Sequence, residues 1–153
     1  MIFDINAPIV AASSLGNVRV GGQLSNYQGL LKFYAQNGEL SFHKLNDFTG
    51  KYQIESFPIE IFVNVETDLI YKISALLGYK GKYRDSISVG QTAGEIMTID
   101  GSLYYDEMYE SVLSKEEEGV VFEFSEDEPW TEETDIKNLV IKYITVFNPE
   151  IVF

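Results

Sequence analysis

Apolar and polar positions alternate most cleanly over residues 57–66. Phe57, Ile59, Ile61, Val63 and Val65 are separated there by Pro58, Glu60, Phe62, Asn64 and Glu66. Successive side chains of a strand point to opposite faces, so this pattern predicts a strand with one buried side. Glu66-Thr67-Asp68 reads as a hairpin turn, and Leu69–Leu76 as the strand that returns antiparallel. Shorter β-branched or aromatic runs predict further strands at 17–20, 40–45, 52–56, 86–89, 109–113 and 120–124. Ser114–Gly119 is a polar turn between the last two. Leu139–Phe147 is apolar on both faces apart from Lys142 and Thr145, the signature of a central strand.

Two helices have start signals. Ser25-Asn26-Tyr27-Gln28 and Thr92-Ala93-Gly94-Glu95 both fit the capping box, in which the first hydroxyl and the fourth side chain satisfy each other's backbone donors. Leu30, Leu31 and Tyr34 follow the first; Ile96, Met97 and Ile99 follow the second. The approach to each box is similar: Val18-Arg19-Val20-Gly21-Gly22 before the first and Ile87-Ser88-Val89-Gly90 before the second. Each unit is then followed by β-rich chain. The expected fold is α+β, a largely antiparallel sheet with two short helices, arranged as two related halves of one domain spanning 1–153.

Charge changes the picture more than composition does. The chain has 153 residues, is 45% hydrophobic and carries a net charge of −13, enough apolar content for a core. The excess is concentrated: residues 106–135 hold thirteen acids and one base, Lys115, whereas the residues before them are nearly balanced. Val120, Val121, Phe122 and Phe124 run through the acidic stretch, so its acids are expected on folded structure and on one face. Tyr104, Tyr105, Tyr109 and Trp130 lie among them, and tyrosine and tryptophan are preferred anchors of binding surfaces. A chain this acidic is not expected to bind nucleic acid. No apolar run approaches the roughly 20 residues of a membrane span, and the first sixteen residues lack the basic start and apolar run of a signal peptide. These features together read as a soluble, cytoplasmic protein without a membrane partner.

The search for catalytic chemistry excludes more than it finds. Absence of cysteine removes disulfides, thiolate metal sites and a cysteine nucleophile. A single histidine, His43, removes a multi-histidine metal centre and reads as a surface imidazole on a strand, with Ser41 two residues away on the same face. Neither Gly21-Gly22 nor Gly78-Tyr79-Lys80-Gly81-Lys82 has phosphate-loop spacing. The second of these instead suggests a loop whose Lys80, Lys82 and Arg84 form a small basic patch. No catalytic residue, cofactor or metal ligand is assigned, and a non-enzymatic role is expected.

Gly78-Tyr79-Lys80-Gly81, the run Ile87–Ile96, Tyr104-Tyr105-Asp106-Glu107 and Glu118–Phe124 follow one another in an order that resembles small bacterial immunity proteins. These travel with polymorphic toxins, including those of contact-dependent growth inhibition systems. The resemblance covers about residues 57–125 and implies a cytoplasmic, non-catalytic protein that binds and neutralises one cognate toxin domain. It supplies no contact residues. The acidic, aromatic-bearing stretch does: Tyr105, Asp106, Glu107, Tyr109, Glu110, Glu123, Glu126, Asp127, Glu128 and Trp130 are the expected partner contacts, with Glu116–Glu118 secondary. Many such toxins are nucleases, whose phosphate substrate requires a basic cleft, so the expected partner is basic. The alternatives are an acidic nucleic-acid mimic that inhibits a DNA-binding protein, and an enzyme of unknown type.

Overall fold

The computed structural model describes residues 2–124 and 135–150. A small two-stranded sheet, β1 (Ser14–Leu15) with β2 (Val18–Arg19), precedes the first helix, α1 (Gln28–Gln36). Four strands follow: β3 (Leu40–Lys44), β4 (Thr49–Ile54), β5 (Phe57–Asn64) and β6 (Leu69–Leu76). Helix α2 (Ala93–Ile99) leads to β7 (Leu103–Asp106), β8 (Ser111–Ser114), β9 (Val120–Glu123) and β10 (Tyr143–Phe147). The eight longer pairings make one antiparallel sheet in the order β3-β4-β5-β6-β10-β9-β8-β7. A helix followed by a four-strand meander thus occurs twice. The two meanders join through their last strands, β6 and β10, with Ile144 opposite Ala75 and Thr145 opposite Ser74.

One sheet face is the core. The register aligns Ile59, Ala75, Ile144, Phe122, Val112 and Tyr105 in one row across six strands. Ile61, Ile73, Val146 and Val120 form the next row. The N-terminal segment, Leu31 of α1, Ala93 and Ile96 of α2, and Tyr79, Tyr83 and Ile87 of the connecting loop pack onto it. The opposite face is polar. It carries Gln53, Glu60, Ser74 and Thr145 in one row and Lys51, Phe62 and Lys72 beside them.

The expected α+β class and antiparallel sheet are present, and several local expectations change. The Thr92–Glu95 capping box forms as read, with Glu95 N–H on the Thr92 hydroxyl at 3.2 Å. The Ser25–Gln28 box does not. Leu24–Tyr27 is a 3₁₀ turn, α1 begins at Gln28 without a side-chain cap, and Ser25 N–H goes to the Asp68 carboxylate at 2.9 Å. The asparagine-tyrosine pair gives way to a long-range acceptor supplied by the β5–β6 turn. Residues 86–89 form no strand: Ile87 bonds back to Tyr83 around a tight turn in which Arg84 and Asp85 both have positive φ. The repeated approach to the two helices is therefore strand in the first half and loop in the second. Residues 139–142 do not extend the final strand, because Gln91 and Gly90 exchange backbone hydrogen bonds with Ile141 and bind that segment to the loop before α2. β10 itself is central, as read. Strand β7 was not predicted, because its four residues offer too little alternation to detect.

Candidate functional site

The β7–β8 hairpin carries the described residues of the expected contact surface. Its base is set by the turn after α2, where Asp100 Oδ1 accepts from the Ser102 N–H and hydroxyl at 2.9 and 2.7 Å. Pairing then runs Leu103 to Ser114, Tyr104 to Leu113, Tyr105 to Val112 and Asp106 to Ser111. The loop is Glu107-Met108-Tyr109-Glu110, closed by Tyr109 N–H donating to Asp106 Oδ1 at 3.0 Å and by a positive φ of 50° at Glu110. Because β7 is an edge strand, the loop projects beyond the sheet corner. Met108 is 85% and Tyr109 70% exposed.

Tyr105 joins this loop to the core. Its ring is half-buried and tilts against Phe124 with centroids 6.4 Å apart. Burial raises its hydroxyl pKa, and the negative charges of Glu110, Glu107 and Asp106 raise it further. All three carboxylates therefore lie close enough to one phenol to act on it electrostatically. The structure brings Tyr105, Asp106, Glu107, Tyr109 and Glu110 together.

It separates others. Glu116 and Glu117 sit on the β8–β9 turn at the opposite end of β8, about 10 Å away along a four-residue strand. Both are engaged by Arg84, with Oε2 of Glu116 and Oε1 of Glu117 each at 2.9 Å from the guanidinium and Asp100 at 3.2 Å. Tyr83 also donates to Glu117 at 2.6 Å. The expected basic patch of Lys80, Lys82 and Arg84 thus loses its strongest member to an internal ion network. Glu123 lies at the hairpin's end of β9, but its carboxylate accepts from the Thr145 hydroxyl at 3.0 Å on the polar sheet face. Glu126, Asp127, Glu128 and Trp130 lie outside the described residues. Ser41 and His43 are exposed on edge strand β3, 3.5 Å apart, and His43 is paired in register with Lys51.

Sequence reading missed Met108. An unbranched apolar residue flanked by Glu107 and Tyr109 within an acidic loop is out of place for a solvated turn, and that mismatch was the available signal.

The Arg84 network yields a stability prediction. The Ser102 hydroxyl and N–H, with Arg84, hold the Asp100 carboxyl below its usual range. A carboxylate whose folded pKa is depressed stabilises the fold above its unfolded value, near pH 4, and that stabilisation is lost as pH falls through the folded value. Arg84 is about a third exposed, so solvent screens the network and Arg84→Met is expected to cost only about 1 kcal/mol at pH 7. The gap to the native chain should close by about pH 3, once the facing carboxylates are protonated. Urea midpoints at the two pH values check this; equal stability at pH 7 would refute it.

The fold and surface define an α+β protein built from two helix-plus-meander halves, with an acidic, apolar-tipped hairpin at one corner of the joined sheet. No family model and no curated protein matches the sequence. Among solved structures, the fold is similar to the crystal structure of the uncharacterized protein yfeY from Escherichia coli. The TM-score is 0.58 at 12% sequence identity, covering 90% of this chain and 98% of that one. No described helix is long and apolar enough to cross a membrane.

Proposed function

We propose that this chain is an immunity protein, which binds a cognate bacterial toxin domain in the cytoplasm and neutralises it. The β7–β8 hairpin docks against a basic site on that domain. The observation that carries the reading is the hairpin tip, where Met108 and Tyr109 stand in solvent among the carboxylates of Asp106, Glu107 and Glu110. Exposed apolar side chains supply little to folding and much to an interface once a partner desolvates them. Surrounding carboxylates steer a positively charged partner and raise its association rate. A nuclease domain fits this description, since its substrate cleft must be cationic, and an acidic plug competes with nucleic acid for the same groups. The concentration of charge in residues 106–135 and the residue order shared with toxin-associated immunity proteins support the same reading.

The test mixes the purified chain with the toxin domain encoded immediately upstream and follows association by surface plasmon resonance. Binding is expected, with an association rate that falls as salt rises. Reversing Asp106, Glu107 and Glu110 to lysine is expected to weaken it by about 100-fold or more, largely through slower association. Met108→Ala with Tyr109→Ala should instead speed dissociation. Native binding by the charge-reversed chain would defeat the hairpin as docking element. Absence of binding by the native chain would defeat the immunity reading, and retention of many unrelated DNA-binding proteins would replace it with a nucleic-acid mimic.

A further inference from the structure

The polar face of the large sheet encloses a cavity of about 370 Å³. Its lining runs from Leu45, just after β3, to Glu123 on β9, which are six adjacent strands. On a flat sheet those strands would stand about 24 Å apart, five spacings of roughly 4.8 Å. Both ends reach one small cavity, so this face is concave. A cavity of this size lies within the range of small-molecule sites, roughly 300–1,000 Å³.

Most polar groups here are already satisfied by one another. Glu60, only 5% exposed, is paired with the Lys51 ammonium at 2.9 Å and accepts from the Gln53 amide. Ser74 and Thr145, 4% and 2% exposed, share a hydrogen bond of 2.7 Å, and Thr145 donates onward to Glu123. Two groups stand outside this arrangement. The Lys72 ammonium lies 4.3 Å from the Phe62 ring centroid and has no carboxylate within 4 Å among the described residues. Tyr143, opposite both Leu76 and Glu123 in register, lines the cavity with no hydrogen-bond partner for its hydroxyl among the described residues. Buried and half-buried polar groups normally find partners, so a cation and a phenol left over beside a polar cavity mark positions for a ligand's atoms.

We propose that this concavity is a binding site for a small organic anion with a flat body. The anionic group meets Lys72, the flat body lies along Phe62, and a hydroxyl at the far end donates to Glu123 beside Tyr143. The site is separate from the hairpin tip, and the proposal stands whether or not the hairpin binds a toxin. Anion recognition in a chain of charge −13 is workable, because Lys72 and Lys51 flank one ring within the cavity while more distant acids are screened beyond about 8 Å at physiological salt.

Amide-resolved NMR titration of the full chain with 4-hydroxybenzoate and with p-cresol tests this, since the two differ in the carboxylate. We expect 4-hydroxybenzoate to shift amides of β6, β9 and β10 around the cavity and to bind about tenfold more tightly than p-cresol. Lys72→Met should erase that difference, whereas Lys44→Met, an exposed lysine on β3, should leave it intact. Tyr143→Phe, which keeps the ring, should weaken 4-hydroxybenzoate severalfold and serves if Lys72→Met fails to fold. The proposal is overturned if 4-hydroxybenzoate shifts no cavity amides, if it gains nothing over p-cresol, or if well-folded Lys72→Met and Tyr143→Phe chains both bind it as the native chain does.

Discussion

Gly81→Ala is expected to destabilise the fold by about 3 kcal/mol or more, read as a fall in the urea midpoint. Gly81 needs no unusual φ; the constraint is space. A Cβ there would stand 1.9 Å from the Ala7 carbonyl oxygen and 2.7 Å from the Tyr79 ring. Neither neighbour can yield cheaply. The Ile5 carbonyl accepts from both Lys80 and Gly81 N–H groups at 2.9 and 2.8 Å, and Ile9 N–H donates to Lys82 at 3.0 Å. The Tyr79 hydroxyl donates to Ala7 and accepts from Gly16 N–H, each at 2.6 Å, and burial pushes its pKa up to about 12. Relieving the methyl clash means parting the N-terminal segment from this loop and leaving buried polar groups without partners. Gly29→Ala is the matched control. Its Cβ would meet nothing, and α1 should gain about 0.5–1 kcal/mol from the better helix former. A Gly81→Ala chain as stable as the native one would refute the packing described.

Phe122→Ala is expected to cost about 3–5 kcal/mol by the same measurement. The side chain is fully buried on β9, between Ile144 and Val112 in the core row, and Tyr83 meets its ring edge-on with centroids 5.4 Å apart. The surroundings cannot collapse into the space left, since strand pairing fixes both flanks and Tyr83 is held by Glu117. Phe122→Leu, which keeps most of the volume, should lose markedly less. Equal losses for the two variants would mean that the cavity is not what the mutation costs.

The core face of β5 was legible because its period of two is long and unbroken; Ile59, Ile61 and Val63 are buried as the alternation required. Phe62 shows the limit of that reading. It occupies a polar-face position and is buried all the same, under Lys51 and Lys72 on a concave surface no local pattern encodes. The hairpin was partly legible. Aromatic and acidic residues at 104–110 are visible in the sequence, but the turn connecting two short strands was not, so Met108 could not be placed at a tip. Glu123 and Glu116 look alike in sequence to Glu110, yet one faces Thr145, one faces Arg84 and one stands in the loop.

By its own local pattern the sequence determined the β5–β6 hairpin, the Thr92 cap and the crowding of negative charge between residues 106 and 135, since each depends only on neighbours a few positions apart. Tertiary structure decided that β10 enters between β6 and β9 and joins two meanders into one sheet. It also decided which carboxylates Arg84 would take and that the polar face would curve into a cavity. Those outcomes depend on pairings such as Ser74 with Thr145, seventy-one residues apart, whose partners are selected by packing and register across the whole sheet.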